Sequence, residues 1–119
     1  MKFFVYGTLK RGRGNDHRLG NAKFLGEFVT PNKYTMHSLG AFPAVSCKGK
    51  SSIQGEVYET DDPRIIQSLY RLEGYSGIPT KDGGHNMYDL ETIDTPYGEA
   101  NMFVMRGNVQ YPTVPSGKW

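Results

Sequence analysis

The amino-acid sequence predicts an α+β fold, in which a sheet of up to seven strands, large enough to curl into a partial or closed barrel, packs with one or two helices. Three observations predict it. The apolar residues come in short pieces punctuated by Gly, Pro, Asn and Asp, as they do in strands. The stretches 53–58 and 100–105 keep a period of two, and the stretch 63–73 alone carries a clear helical period.

Taken in order, Lys2 to Tyr6 reads as a buried strand ended by Gly7. Ala22 to Val29 contains Phe24, Leu25, Phe28 and Val29 and stops at the turn Thr30-Pro31-Asn32, and Tyr34 to Ser38 is a further short strand. Ile53, Gly55 and Val57 alternate with Gln54, Glu56 and Tyr58, the pattern of a strand with one buried face. The helix follows from Pro63 to Glu73. Asp62 suits the cap, and Pro63 suits the first helical position, where its missing N–H would be unpaired anyway. Ile65, Ile66, Leu69 and Leu72 recur at three- and four-residue steps, and Gly74 supplies the left-handed stop. Tyr88 to Asp94 pairs as a hairpin with the strand holding Ala100, Met102 and Val104, through the turn Pro96-Tyr97-Gly98. The alternate set Asn101, Phe103 and Met105 is also largely apolar, so that last strand is expected to be covered on both faces.

The 119 residues suit one domain spanning 1–119. With 15 Gly and 7 Pro the chain stays below the roughly 25–30% of the two together that marks low-complexity disorder. Fourteen Lys and Arg against 12 Asp and Glu, a net +2, are too evenly balanced for nucleic acid or an anionic membrane to be the main partner. The single Cys47 allows no intrachain disulfide and favours a reducing compartment. The apolar run after Lys2 is too short for a signal-peptide core, and no stretch approaches the ~20 apolar residues of a membrane span. A cytoplasmic domain is the expectation; the oligomeric state is left open.

Glu73 stands out chemically. At about 100° per residue it lies about 20° from Ile66 around the helix axis, along the apolar stripe. A carboxylate there is partly desolvated and faces the negative end of the helix dipole, and both effects raise its pKa towards the range of a base that must later act as an acid. The plainer alternative is a frayed last turn with Glu73 as an ordinary surface charge. The second feature is Tyr6-Gly7-Thr8-Leu9-Lys10-Arg11-Gly12-Arg13-Gly14, a strand opening into a Gly-rich loop that can aim backbone N–H groups at a carboxylate, a phosphate or a developing oxyanion. A nucleotide-binding loop is excluded, since Arg13-Gly14 stands where Lys and Ser or Thr are required; the dinucleotide fingerprint fails at His17. A tight turn with solvated charges is the plain reading here. His17, His37 and His85 are widely spaced without a clustered carboxylate or thiol set, so no metal is expected. Lys48 and Lys50 flank Cys47 and are expected to lower its pKa without making it catalytic.

The segment Phe4-Val5-Tyr6-Gly7-Thr8-Leu9-Lys10-Arg11-Gly12 resembles the N-terminal signature of the γ-glutamylcyclotransferase-like superfamily. The resemblance continues in register through Gly55-Glu56-Val57-Tyr58, Leu72-Glu73-Gly74-Tyr75, Tyr88, Thr95-Pro96-Tyr97-Gly98 and the tail Ser116-Gly117-Lys118-Trp119. It implies a small mixed β-barrel flanked by one or two helices. It also implies a cavity in which Tyr6, Gly7, Thr8 and Leu9, with Tyr88, bind a γ-glutamyl substrate, and in which Glu73 is the catalytic carboxylate. The implied reaction releases 5-oxoproline through attack of the substrate's own α-amine and needs no metal or cofactor. Two departures stand beside the resemblance: members often carry Arg two residues after the equivalent of Tyr88, where this chain has Leu90, and the segment Tyr75 to Met87 is longer than in compact members. Lys10, Arg11, Arg13 and Arg18 form a basic patch expected near the cavity mouth, suited to an anionic substrate. The residues leave two readings open, this enzyme or a non-catalytic binder of a small polar ligand in the same cavity.

Overall fold

The computed structural model describes residues 1–7, 9–10, 19–73, 88–106 and 109–119. Its elements are β1 (Lys2–Val5), β2 (Lys23–Val29), β3 (Tyr34–Ser38), β4 (Pro43–Ser51), β5 (Gln54–Glu59), α1 (Pro63–Leu72), β6 (Asp89–Thr95) and β7 (Gly98–Val104). Five strands form one sheet in the order β2-β5-β1-β7-β6, and β3 and β4 form a separate hairpin. β1 lies in the middle, antiparallel to β5 and parallel to β7, so the sheet is mixed.

This α+β arrangement matches the expected class, but the expected barrel is not closed. Among the described residues β2 and β6 end the sheet without pairing to one another, and no continuous ladder joins the sheet to the hairpin. Isolated hydrogen bonds span the gaps instead. Met105 N–H donates to the Val45 carbonyl at 2.9 Å, Val114 N–H to Met36 at 2.7 Å and Gln54 N–H to Gly117 at 2.9 Å, so the tail stitches β3 to β5. Strand number alone permits closure, but the strand order shows an open five-stranded sheet and a separate hairpin.

Side-chain alternation along β1 explains how a thin sheet is buried on both sides. Phe3 and Val5 pack with Ile65 and Leu69 of α1, whereas Phe4 and Tyr6 pack with Met36 and Val45 of the hairpin. β5 departs from its expected single buried face for the same reason: Gly55, Glu56, Val57 and Tyr58 are all buried. The outer face of β5 is covered by the α1 side of the core, where Tyr58 meets Phe24 edge-on at 5.4 Å. β7 is covered on both faces, as expected.

α1 starts where the sequence predicts. The Asp62 side chain accepts from Arg64 N–H at 2.9 Å, and Pro63 occupies the first turn. Ile65 and Leu69 are buried, with Ile66 and Leu72 packed beside them; full burial of Leu69 contributes about 1.5–3 kcal/mol. The helix closes at Glu73, whose N–H donates to the Leu69 carbonyl at 3.0 Å. Gly74, the expected stop signal, lies outside the described residues. No helix among the described residues is long and apolar enough to cross a membrane.

Candidate active site

The chain leaves β1 at Tyr6 and turns at Gly7, where Lys10 N–H donates back to the Gly7 carbonyl at 3.1 Å. The bare Cα of Gly7 has a local reason: a Cβ there would stand 2.8 Å from Cγ of Pro43, at the start of β4. Glycine therefore lets the loop after β1 and the wall before β4 close on each other. The Tyr6 side chain is buried, and its hydroxyl donates to the Phe103 carbonyl of β7 at 2.7 Å. Tyr88, just before β6, is also buried and donates to the Pro43 carbonyl at 2.8 Å. These two bonds tie β1 to β7 and β6 to β4.

Between them lies a cavity of about 220 Å³. Tyr6, Gly7, Leu9, Glu73 and Tyr88 all line it, which brings together every expected site residue except Thr8, which lies outside the described residues. Phe4, Val5, Pro43 and Phe103 complete the buried part of the wall, and Ala41, Phe42 and Leu72 the rest. The helical angle that places Glu73 on the apolar stripe is thus realised: its carboxyl joins the lining beside Leu72. Burial pushes that carboxyl up to about 7. Burial likewise raises the Tyr6 and Tyr88 hydroxyls, and the negative charge of Glu73 raises both further. Three titratable groups therefore line one cavity close enough for their charges to act on one another, and burial brings the carboxyl's titration towards neutral pH.

Replacing Tyr88 with Phe is expected to leave the Pro43 carbonyl without its donor, at a cost of about 1–3 kcal/mol. The urea midpoint of the purified variant checks this: an unchanged midpoint would mean that the bond does not hold the wall.

Several expectations resolve differently. Lys10 does not line this cavity; it is buried, with its Nζ 3.5 Å from the Trp119 carbonyl oxygen, and borders a separate polar pocket with Glu27, Glu56 and Lys118. Arg11, Arg13, His17 and Arg18, and the segment 74–87 with His85, lie outside the described residues. The Cys47 thiol is held above its usual range, because partial burial and the Glu91 carboxylate outweigh the lowering by Arg106 and Lys33. The His37 ring sits between the Tyr111 carbonyl and the Ser46 hydroxyl, at 3.0 and 3.1 Å. Leu90 packs into the α1 side of the core.

Sequence reasoning missed the wall formed by Ala41, Phe42 and Pro43, because β4 itself went unread. The available signal was weak: a turn at Gly40 followed by the apolar run Ala41 to Val45, then the polar stretch Ser46 to Ser51.

Residues 3–119 match the model of a family described as gamma-glutamyl cyclotransferase, AIG2-like. The chain is 35% identical over 120 residues to a gamma-glutamylcyclotransferase family protein of Citrobacter rodentium, covering 100% of this chain and 95% of that protein. It is 32% identical over 117 residues to a putative gamma-glutamylcyclotransferase of Vibrio cholerae, covering 98% and 92%. The solution structure of the protein ytfP from Escherichia coli superposes with a TM-score of 0.73 at 34% identity, covering 100% of this chain and 96% of that one.

Proposed function

This chain belongs to the gamma-glutamyl cyclotransferase, AIG2-like family, and from that membership we propose that it converts a γ-glutamyl amine or peptide into 5-oxoproline and a free amine. The observation that carries the proposal is the Glu73 carboxyl, raised to about 7 by burial in the cavity that Tyr6, Gly7 and Leu9 also line.

The nucleophile is the substrate's α-amine, mostly protonated at neutral pH. Glu73 takes a proton from it, the amine nitrogen bonds to the γ-carbonyl carbon, and the five-membered ring closes. The ring nitrogen gives up its second proton, the bond from that carbon to the leaving nitrogen breaks as Glu73 returns a proton to it, and the released amine takes up the other proton and departs as an ammonium ion. No water enters and no electron acceptor is required. Attack within one molecule needs only the reactive rotamer to be held, and well-oriented cyclisations reach effective molarities of ~10⁵ M or more. Gly7 and Leu9, which line the cavity, have backbone N–H groups suited to stabilising charge on the carbonyl oxygen. Tyr6 and Tyr88, whose hydroxyl protons are committed to backbone carbonyls, shape the site and hold their raised pKa values rather than exchange protons.

The test is mass spectrometry of the purified protein incubated with a panel of γ-glutamyl amines and dipeptides. The expected result is 5-oxoproline together with the matching amine. A co-purified ligand released unchanged, with no 5-oxoproline from any substrate, would instead identify a non-catalytic binder. The pH profile is expected to follow Glu73. A base must be deprotonated, so kcat/KM should fall about tenfold per pH unit below a midpoint near 7. A midpoint near 4.5, the ordinary glutamate value, would detach the acid limb from the buried carboxyl.

A further inference from the structure

The loop after β1 borders two cavities: Gly7 and Leu9 line the one described above, and Lys10 lines a second, of about 290 Å³. The second is walled by β2 and β5, whose register sets Glu27 directly opposite Glu56. Residues paired this way project from the same face of a sheet, and like charges so placed repel. The sequence nevertheless puts two carboxylates there, and Lys10 and Lys118 line the same cavity. Two of the four are firmly held. Glu56 is buried and accepts from the Tyr58 hydroxyl at 3.1 Å. Lys10 is buried too, with its Nζ 3.5 Å from the Trp119 carbonyl oxygen and its backbone N–H on the Gly7 carbonyl at 3.1 Å. Attraction between buried opposite charges is largely spent on their desolvation, so stability does not account for the cluster.

We propose that this second cavity is a binding site for a free α-amino acid with a small apolar side chain. Among the described residues its charged lining is balanced, two ammonium groups against two carboxylates. An anion or a cation alone would leave a net charge in the cavity, whereas a zwitterion keeps it neutral and is paired at both ends. The ligand's ammonium group fits between Glu27 and Glu56, where it relieves their repulsion, and its carboxylate faces Lys10 and Lys118. Phe28, half-buried, and Val29, 54% exposed, supply the apolar part of the wall, and a ligand side chain lying on them removes apolar surface from water. The volume, equivalent to roughly ten waters at ~30 Å³ each, suits a molecule of that size.

The test is methyl NMR of the full chain titrated with L-leucine, leucinamide and N-acetyl-leucine, which carry both charges, only the positive one and only the negative one. Leucine is expected to shift the Val29 methyl signals and to leave in place those of Leu72, which lines the first cavity. Read at Val29, each single-charge analogue should bind at least about tenfold more weakly, the loss expected when one charged hydrogen-bonding end is removed. Glu27→Gln and Lys118→Met, both at exposed positions, should weaken leucine binding several-fold with no change in melting temperature, and Glu56→Gln should weaken it further. An analogue that binds as tightly as leucine overturns the zwitterion assignment, as does unchanged affinity in both Glu27→Gln and Lys118→Met. Shifts confined to Leu72, or none at Val29 with millimolar leucine, overturn the site itself.

Discussion

Glu73→Gln is expected to lower kcat/KM for 5-oxoproline release by about 10³-fold, within the range supplied by a general acid–base, and at the same time to make the protein more stable above neutral pH. Both effects come from the same burial. In the unfolded chain the carboxyl titrates near 4.5, and in the folded protein near 7. Between those values the folded state holds a proton that the unfolded state has lost. The contribution of Glu73 to stability is therefore greatest below about pH 4.5 and declines as pH rises to about 7, by about 3 kcal/mol at 1.36 kcal/mol per unit. Glutamine stays neutral and avoids that loss. The variant should match the parent near pH 4 and melt several degrees higher at pH 8, while its activity disappears. Thermal melts at the two pH values, run beside the kinetics, separate this outcome from its rivals: full turnover would remove Glu73 from the mechanism, and equal melting points at pH 8 would mean that the carboxyl is not desolvated.

The second large effect is expected at Gly55, where a side chain would strike the backbone. A Cβ added there would lie 2.4 Å from the Val5 carbonyl oxygen and 2.7 Å from Cζ of Phe4. Neither neighbour can withdraw freely. β5 is paired on both edges, to β1 and β2, and β1 is itself held between β5 and β7. Gly55→Ala should cost at least about 1–3 kcal/mol, the usual price of overpacking, and lower the melting temperature by roughly 5–15 °C. Because Val5 leads directly into Tyr6 and Gly7, the folded fraction should also bind substrate less well. A variant with parental melting temperature and KM would show that β1 and β5 separate more readily than their pairing implies.

The two sites also mark what was legible in the sequence. Glu73 could be placed because the helical angle is local arithmetic, and the cap at Asp62, the strand Tyr34 to Ser38 and the hairpin turn at Pro96 to Gly98 are local in the same way. Gly55 read as one member of an alternating set and of a segment resembling the family; its reason for being glycine is a contact with β1, distant in sequence. β4 was missed because Lys48, Gly49 and Lys50 dilute its pattern and its order comes from pairing with β3. Whether the sheet closes was not legible either, since closure depends on pairing between strands far apart in sequence. The lining residues Ala41 and Phe42 carry no chemical signature at all. They become a wall only because Tyr88 reaches back to Pro43 and because Gly7 leaves room for its ring.

The position of β1 also bears on how the molecule assembles. Phe4 is in register with Val57 and Phe3 with Asn101, and the Tyr6 hydroxyl bonds to a carbonyl 97 residues away. Only a fragment that runs from β1 all the way to β7 contains the central strand with both of its neighbours. Topologies dominated by such distant pairings fold slowly, over milliseconds to seconds, because loop-closure entropy must be spent before the contacts that repay it can form. Until β7 arrives, the apolar strand Lys2–Val5 offers an open edge to any other chain. During synthesis this protein is therefore most exposed to aggregation through the strand that will later lie deepest, and its cavity comes into existence only with the last of its strands.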